Sequence, residues 1–407
     1  MLAAIREGLP ALGAGIYLNT AAAGPLPAET ARAMAEIAAV ELTYGRGHVH
    51  DPFETAERVG EARAAVAAVL AADLAAVALT QGTAHGIALA IAAAGVQAQA
   101  RVICGADSGP RLAHGGWAGW PLGMLPALGA EIVPVPLAGI RATSDIVAAF
   151  DAALAGGAGL VILPHVLETS GRVLPVADIA DLARGRGALV VVDGSQSVGA
   201  IPVAPDLLGA DALAFSAERW LLGPAGLGAL WCGPRMLDRS RTLFPGGFVD
   251  ALTGPASTGA PGSRETPPWA GTDAWNRPSV VGMARSCGWL SMHVGLEWAW
   301  ARSAELARRA AAALASIERV AVLSPLDELA TIVTFRIAGW PAATALDELG
   351  ARVFAIAGVV PALDAIRISL AAFNSEDEVG RFIDGVALLA GHTPASVPPR
   401  RTLNVLP

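Results

Sequence analysis

Apolar and polar positions along the chain follow two different periods. Residues 27–45 and 54–73 carry apolar side chains every three to four positions, which predicts amphipathic helices. Between such helices stand short runs that are almost wholly apolar, of which GLVILP and ALVVVD are the clearest. Apolar runs of this length between helices are typical of parallel strands buried on both faces. The pattern therefore predicts an α/β fold with a mostly parallel, seven-stranded type of sheet covered by helices, plus a small α+β domain.

The small domain is predicted from two strand patterns, TIVTFRIAG and AIRISLAAF, and from a last helix for which Ser375 is a suitable N-cap. One long helix, over about residues 279–318, is predicted to lead into it. Before that helix the composition changes to Gly, Pro, Ser and Thr, and loops of such length are often functional. The predicted boundaries are 1–20 for an N-terminal arm, 21–255 for the large domain, 256–278 for an active-site or interface loop, 279–395 for the linking helix and small C-terminal domain, and 396–407 for a tail.

Composition excludes several classes of protein. The net charge is −8 and no run of basic residues occurs, so nucleic acid is not an expected partner. The three cysteines, Cys104, Cys232 and Cys287, lie far apart, which argues against a disulfide framework or a zinc site, and no metal is expected. Polar residues and prolines interrupt the apolar stretches, so we expect no membrane span, no signal peptide and a cytoplasmic location.

Candidate chemistry follows three of the predicted strands. Ligands of open α/β sheets bind at the carboxyl ends of the strands, where this chain places TQGTAHG, VVVDGSQSVG and AFSAERWLLGPAG. Gly82 and Thr83 open a helix in the first motif, and the free N–H groups of a helix N-terminus hold phosphate well. An ordinary N-cap is the alternative interpretation, and the two are compatible.

Taken in this order, the three motifs resemble the fold-type I pyridoxal phosphate (PLP) enzymes of aminotransferase class V. That group includes cysteine desulfurases, isopenicillin-N-epimerase-like proteins and the C–S lyase of ergothioneine synthesis, to which the segment SGPRLA is similar. The resemblance extends from YLNTAAAGPLP to IRISLAAFNSEDEVGRF, which is nearly the whole chain. It implies the PLP transferase fold and a homodimer or heterodimer with sites at its interface.

The resemblance also implies a role for individual residues. Asp193 would pair with the pyridine nitrogen of PLP, and Gln196 would hydrogen-bond the phenolic oxygen. Arg367 would hold a substrate carboxylate, with Asn374 in the same stretch, because a guanidinium matches a carboxylate bidentately. The residues expected at the cofactor are Gly82, Thr83, Asp193, Gln196, Ser216 and Thr272, the last reaching the phosphate from the neighbouring subunit.

The chain departs from the family at the Schiff-base lysine. The family pattern runs Ser-x-His-Lys or Ser-x-Arg-Lys, whereas this chain has Arg219 at the lysine position, and all 28 of its basic residues are arginine. Arginine cannot be deprotonated in a protein, so it can neither form a Schiff base with PLP nor shuttle a proton. The residue aligned with the family's ring-stacking side chain is Ser108. Both departures separate this chain from an ordinary PLP enzyme.

Four residues remain as candidates for a catalytic role. Arg219 could bind an anion, either phosphate or a substrate carboxylate. Glu218 would repel the phosphate if it faced it, or pair with an arginine if it faced away. His85 and His165 lie near strand ends, where a histidine is either structural or a working acid or base.

Three functions stay open at this point. The first is an enzyme that holds PLP noncovalently and acts on a small amino acid or amine-containing metabolite, with lyase or epimerase chemistry. The second is a non-catalytic pseudoenzyme, or the structural subunit of a heterodimer with a lysine-containing homologue. The third is a PLP-independent enzyme that reuses the pocket. A nicotinamide-dependent dehydrogenase is disfavoured, because no G-x-G-x-x-G follows the first strand.

Overall fold

A computed structural model of the chain describes residues 1–47, 51–107, 120–239 and 275–400, with the backbone alone at 51–53 and 120–121. The chain forms two compact units, which we describe separately. The small unit comprises Met1–Pro25, Leu167–Val173 and Glu297–Pro407, and the large unit comprises Leu26–Val166 and Leu174–Leu296. The domain boundaries expected from the sequence stay a prediction. Most of the predicted loop over 256–278 lies outside the described residues.

The large unit contains a sheet of seven strands between helices. Its helices are α2 (Ala28–Tyr44), α3 (Asp51–Leu70), α4 (Thr83–Ala93), α5 (Trp120–Ala127), α6 (Thr143–Leu154), α7 (Val176–Gly185), α8 (Pro234–Arg239) and α9 (Arg277–Gly288). Its strands are β2 (Val77–Thr80), β3 (Arg101–Ala106), β4 (Glu131–Pro136), β5 (Leu160–Pro164), β6 (Leu189–Asp193), β7 (Ala212–Ser216) and β8 (Gly228–Cys232).

The order of these strands is β2-β8-β7-β6-β5-β3-β4. Every neighbouring pair from β4 to β7 is parallel, and β8 runs in the opposite direction to the other six strands of this sheet. Strand β6 is buried at all five positions, as its continuous apolar sequence predicts. The mostly parallel α/β sheet expected from the sequence is therefore confirmed. This order also brings the carboxyl ends of β2, β5, β6 and β7 to one edge of the sheet.

One core of the large unit lies under α4, α5 and α8. Side chains from β3, β5, β6, β7 and β8 fill it, including Cys104, Ile162 and Val191. Alternate residues of the same strands, such as Ile103 and Val192, are buried on the opposite face. Helices therefore cover both faces of the sheet.

The small unit is built around a four-stranded antiparallel sheet of order β12-β13-β10-β9. A pair of short parallel strands, β1 with β11, accompanies it. The helices are α1 (Leu2–Glu7), α10 (Leu296–Ala315, which enters this unit at Glu297), α11 (Ala342–Val353) and α12 (Glu376–Ala390), and the strands are β1 (Ile16–Tyr17), β9 (Val320–Val322), β10 (Ile332–Ile337), β11 (Ala355–Ile356), β12 (Gly358–Val360) and β13 (Ala365–Ser369). The two units also contain 3-10 turns at Pro10–Ala14, Leu74–Ala76 and Pro361–Leu363.

The last helix begins as its sequence predicts. The Ser375 hydroxyl accepts a hydrogen bond from the Glu378 N–H, and the Glu378 carboxylate accepts one from the Ser375 N–H, which makes a capping box. Arg6 of α1 donates two further hydrogen bonds to the same carboxylate, at 2.6 and 2.7 Å. Glu378 thus links the first helix of the chain to the last.

The prediction of one uninterrupted helix over residues 279–318 is wrong, because the structure has two α-helices there. The chain forms α9, then a π-helical turn over Trp289–Val294, and then α10. Gly295, between the turn and α10, has a φ of +83°, which no residue adopts inside a right-handed helix. The apolar period continues across this point, so periodicity alone did not reveal the break.

None of the helices in the described ranges is long and apolar enough to cross a membrane.

Helix α4 and strand β7 lie unusually close together. A Cβ placed on Gly86 of α4 would lie 2.8 Å from the Cβ of Ala214 in β7. Gly60 lies in the interior of α3, and a Cβ there would meet no atom of the described residues within 4 Å. The lack of a side chain at Gly86 therefore permits the close contact between α4 and β7, whereas Gly60 has no comparable contact among the described residues.

These two glycines give a matched pair for a stability measurement. We expect Gly86→Ala to lower the free energy of unfolding by about 1–3 kcal/mol, because the added methyl overpacks the contact. Gly60→Ala should leave that free energy unchanged or raise it by up to about 1 kcal/mol through helix propensity. Denaturant unfolding of both variants measures the difference. Equal effects of the two substitutions would contradict a tight contact at Ala214.

Candidate cofactor site

Two sequence motifs far apart in the chain meet at the start of α4. The turn between β2 and α4 has Gly82 at a φ of +128°, and α4 begins at the next residue, Thr83. The N–H of Thr83 donates to the Oγ of Ser216 at 2.9 Å, and the two hydroxyl oxygens lie 2.8 Å apart. A Cβ on Gly82 would lie 3.2 Å from the same Oγ. The structure therefore brings together three of the residues that the sequence analysis expected at the cofactor.

Asp193 lies at the same edge of the sheet, at the end of β6. Its side chain is buried, and Oδ1 accepts a hydrogen bond from the Ser195 N–H at 2.8 Å, which fixes the carboxylate. Gln196 is also buried, and its Oε1 accepts a hydrogen bond from the Trp220 Nε1–H at 2.9 Å. This hydrogen bond fixes the orientation of the Gln196 amide. The amide nitrogen of Gln196 can donate to other groups. Trp220 was not among the residues that the sequence assigned to the site.

The segment after β7 that carries Arg219 is held by several hydrogen bonds. The Gly223 N–H donates to the Ala217 carbonyl at 2.8 Å, and the Leu222 N–H donates to the Arg219 carbonyl at 3.2 Å. Leu222 has a φ of +54°, an unfavourable conformation for a branched side chain. The Ser286 hydroxyl of α9 donates to the Leu222 carbonyl at 3.0 Å. The unusual turn is therefore stabilised by a neighbouring helix.

Glu218 and Arg219 are partly buried in this segment. The Oε2 of Glu218 is buried and accepts no hydrogen bond, and Glu218 forms no ion pair with an arginine anywhere in the described part of the chain. The pairing considered from the sequence is thus not seen there. The role of Glu218 stays a prediction.

The two candidate histidines have different surroundings. The Nδ1 of His85 accepts a hydrogen bond from the Gln81 N–H at 3.0 Å, so the neutral ring carries its proton on Nε2. Partial burial lowers the pKa of His85. His165, which follows β5, is 4% exposed, and burial lowers its pKa to about 4. Its Nδ1 has no hydrogen-bond partner among the described residues. His165 is therefore a neutral imidazole at neutral pH.

Arg367 belongs to the small unit, where it occupies the middle of β13. Only 8% of the residue is exposed. Its Nη1 donates to the Oε1 of Glu168 at 2.7 Å and to the Glu168 carbonyl oxygen at 3.3 Å. A carboxylate of the protein thus binds the guanidinium that the sequence assigned to a substrate carboxylate. Sequence reasoning missed Glu168, because nothing in the segment HVLETSG indicates a partner about 200 positions away.

Asn374 is fully buried, and both ends of its amide bind backbone. Oδ1 accepts a hydrogen bond from the Ala371 N–H, and Nδ2 donates to the Tyr17 carbonyl, each at 2.8 Å. This arrangement favours a structural role for Asn374 over the predicted contact with a substrate. Thr272 and Ser108, which the sequence assigned to the phosphate and the cofactor ring, lie outside the described residues.

The residues of the large unit fit the chemical groups of PLP. Gly82 lacks the side chain that would close the space beside Ser216, and the helix N-terminus with two hydroxyls is a donor set suited to a phosphate. Asp193 offers a buried carboxylate to a protonated ring nitrogen. Within the described residues no cluster of His, Cys, Asp and Glu side chains could hold a metal ion.

The family model for aminotransferase class V matches residues 16–382, so the chain belongs to that family. Isopenicillin N epimerase of Streptomyces clavuligerus is 29% identical over 264 residues, which cover 61% of this chain and 64% of the relative. "Probable cysteine desulfurase 2" of Mycobacterium leprae is 30% identical over 246 residues, 56% of each chain. The matches to these curated relatives thus span less than two thirds of their length.

Solved structures support the fold. A C-DES variant in which a lysine is replaced by alanine, with glycine covalently linked to its PLP cofactor, superposes with a TM-score of 0.82 at 19% identity. The match covers 94% of this chain and 98% of that one. The PLP transferase fold expected from the sequence is therefore confirmed.

Burial of His165 predicts a pH dependence of stability. The unfolded chain binds a proton at His165 below about pH 6.5, whereas the folded chain binds it only below about pH 4. Stability therefore falls as the pH drops through this window and is unaffected by His165 above it. A pKa difference of this size corresponds to about 3 kcal/mol.

The measurement is the free energy of unfolding from pH 7 to pH 4 for the wild type and for His165→Asn. We expect the wild type to lose about 3 kcal/mol more than the variant over this range. Identical pH profiles would show that the imidazole of His165 is not buried as a neutral group. His85→Asn serves as the comparison at a half-buried histidine and should change the profile less.

Proposed function

We propose that this protein holds PLP noncovalently and acts on a small amino acid or amine-containing metabolite, with lyase or epimerase chemistry. The observation that carries the proposal is the cluster of Gly82, Thr83 and Ser216 at the same sheet edge as the buried carboxylate of Asp193. A phosphate-binding helix terminus and a carboxylate for a ring nitrogen are the two ends of a PLP site.

Each of these residues has a defined task in the proposal. The N-terminus of α4 binds the phosphate, because its N–H groups and its dipole favour an anion. Asp193 keeps the pyridine nitrogen protonated, and Gln196, oriented by Trp220, donates from its amide nitrogen. When bound, PLP supplies an electron sink for a substrate carbanion.

Proton transfer requires a group other than lysine. Arg219 stays protonated, so its task is to bind an anion. His165 is neutral at neutral pH, and its Nδ1 has no hydrogen-bond partner among the described residues. A neutral imidazole has a lone pair that can accept a proton, and the lowered pKa makes His165 a weaker base than an exposed histidine. We therefore propose His165 Nδ1 as the atom that takes up the substrate proton.

Loss of the lysine is compatible with PLP chemistry in this fold. The similar C-DES variant lacks a lysine, and its PLP nevertheless carries a covalently linked glycine. The similarity to an isopenicillin N epimerase and a cysteine desulfurase agrees with an amino-acid-derived substrate. Persulfide chemistry of the desulfurase kind is not part of the proposal, because the segment FAIAGVV, where such a cysteine is expected, has none.

A silent partner of a lysine-containing homologue is the second candidate. The observation that favours it is the absence of lysine from the whole sequence. Such a subunit could keep the PLP-type residues and perform no reaction itself. The two candidates differ in whether PLP bound to this chain responds to an added amine.

Titration with PLP tests the proposed cofactor. We expect a saturable change in the PLP absorption spectrum, and a second change when a suitable amine or amino acid is added. Asp193→Asn should weaken PLP binding about tenfold or more, because a charged hydrogen bond to the ring is lost. Asp211→Asn, another buried aspartate of the large unit, is the matched control and should leave PLP affinity unchanged. A spectrum identical to that of free PLP at every concentration would contradict the proposal. A response to PLP but to no amine would favour the silent partner.

Arg219→Lys tests whether this position is the lysine position. Because the chain contains no lysine, labelling of side-chain amines by PLP and borohydride has little background. We expect Arg219→Lys to gain one borohydride-stable PLP adduct at residue 219, detected by peptide mass spectrometry. Arg186→Lys, at a partly exposed position of the large unit, is the control and should be labelled far less at the same PLP concentration. Equal labelling of the two variants would place Arg219 away from the cofactor.

A further inference from the structure

Three consecutive backbone N–H groups of the turn between β2 and α4 donate to side chains. The Gln81 N–H donates to Nδ1 of His85 at 3.0 Å, the Gly82 N–H to Oγ1 of Thr80 at 3.3 Å, and the Thr83 N–H to Oγ of Ser216 at 2.9 Å. Two of these acceptors belong to strands of the sheet, whereas the imidazole belongs to the helix that follows the turn. All of these residues lie in the large unit. The turn is therefore held by both the sheet and the helix.

The next two N–H groups of α4 are available to a ligand. The first hydrogen bond of the helix runs from the Gly86 N–H to the Gly82 carbonyl at 3.0 Å. Ahead of it, the N–H groups of Ala84 and His85 have no acceptor among the described residues. The first N–H groups of an α-helix have no partner inside the helix, and they favour an anion. The side chains that cap the turn thus leave two adjacent donors for such a group.

The hydroxyl pair beside them supplies a third donor. The Oγ1 of Thr83 and the Oγ of Ser216 lie 2.8 Å apart, so one hydroxyl proton lies between the two oxygens. The other hydroxyl proton has no acceptor in the part of the chain that the structure describes. Two N–H groups and one O–H group can therefore each donate to an oxygen of one phosphate.

Gly82, at the centre of the turn, makes the conformation of the turn depend on its hydrogen bonds. Its φ of +128° lies in a region that glycine adopts readily and other residues rarely do. The backbone of β8 packs closely against it, because a Cβ on Gly228 would lie only 2.7 Å from the Gly82 Cα. The hydrogen bond from Gln81 to His85 ties the residue before the glycine to α4. Loss of that bond would give the residues ahead of the helix more conformational freedom.

His85 is suited to this task by its position and its protonation state. It is the third residue of α4, from which a side chain can reach back to a backbone N–H ahead of the helix, as in a capping box. Only a neutral imidazole can accept through Nδ1, and partial burial lowers the pKa of His85, which favours the neutral form. The ring proton is then on Nε2, which has no partner within the described ranges.

We propose that His85 is a positioning residue of the phosphate site. By accepting the Gln81 N–H, its Nδ1 holds the turn in the conformation that keeps the three available donors together for one phosphate group. This inference rests on the proposed function, in which the N-terminus of α4 binds the phosphate of PLP. It gives His85 a role distinct from the proton transfer considered from the sequence.

Two substitutions of nearly equal shape separate the acceptor from the rest of the side chain. Asparagine carries Oδ1 at the same number of bonds from the backbone as Nδ1 of histidine, and leucine has the same branching without an acceptor. The dissociation constants of PLP and of pyridoxal, which lacks the phosphate, are measured by calorimetry for the wild type, His85→Asn and His85→Leu. We expect His85→Leu to weaken PLP binding about five- to tenfold and to leave pyridoxal binding unchanged. His85→Asn should bind PLP within about twofold of the wild type.

Hydrogen exchange supplies a readout that needs no cofactor. In peptides that cover residues 77–86, the Gln81 amide should exchange about tenfold faster in His85→Leu than in the wild type or in His85→Asn, because its acceptor is lost. Thermal unfolding identifies any variant that fails to fold. His85→Ala, which also lacks the acceptor, replaces a leucine variant that does not fold.

Three results would overturn the inference while the proposed function stands. They are a His85→Leu variant that binds PLP as tightly as the wild type, a loss of affinity that is equal for PLP and pyridoxal, and a His85→Asn variant as weak as His85→Leu. The last result would assign the effect to Nε2 instead of Nδ1. A wild type that binds PLP no more tightly than pyridoxal is a different failure. It would contradict the proposed phosphate site, and the role of His85 with it.

Discussion

The close approach of α4 to the central sheet is the constraint on which the candidate cofactor site depends. At Gly86 the helix lies so near β7 that a methyl group does not fit without a shift. That distance places the first residue of α4, Thr83, in hydrogen-bonding contact with Ser216 at the end of the same strand. Because β6 runs parallel to β7, Asp193 ends at the same edge. Among the described residues, helix, hydroxyls and carboxylate are thus placed by the order of the strands and by one glycine.

In the proposed function, position 219 is the place where the reactive lysine of the fold would stand. In the turn that carries Arg219, Leu222 has a left-handed backbone conformation, and the Ser286 hydroxyl of α9 donates to the Leu222 carbonyl. The indole of Trp220, in the same turn, donates to Gln196. These contacts do not involve the side chain at 219. A lysine at position 219 could therefore be exchanged for arginine without loss of these contacts, as the proposed function requires.

The sequence was sufficient to predict what depends on local pattern. Continuous apolar runs predicted the strands, and Ser375 predicted the start of the last helix. Strand-end motifs led to the prediction of Thr83, Asp193 and Ser216 as site residues, and their role stays a prediction. Contacts between distant residues were out of reach, since neither the partner of Arg367 nor the indole on Gln196 leaves a local signal. The break at Gly295 was missed because the apolar period continues across it. The hydrogen bond from Asn374 to the Tyr17 carbonyl was missed because the two residues are far apart in the sequence.

Glu378 has a consequence for the order in which the small unit is made. Its carboxylate caps α12 and also binds Arg6, which precedes it by 372 positions. Strand β1 likewise pairs with β11, from the other end of the chain. Residues of β1 are synthesised more than 300 positions before these partners. The apolar side chain of Ile16, which packs in a core with residues of β10, β13 and α12, therefore stays unburied until those residues follow.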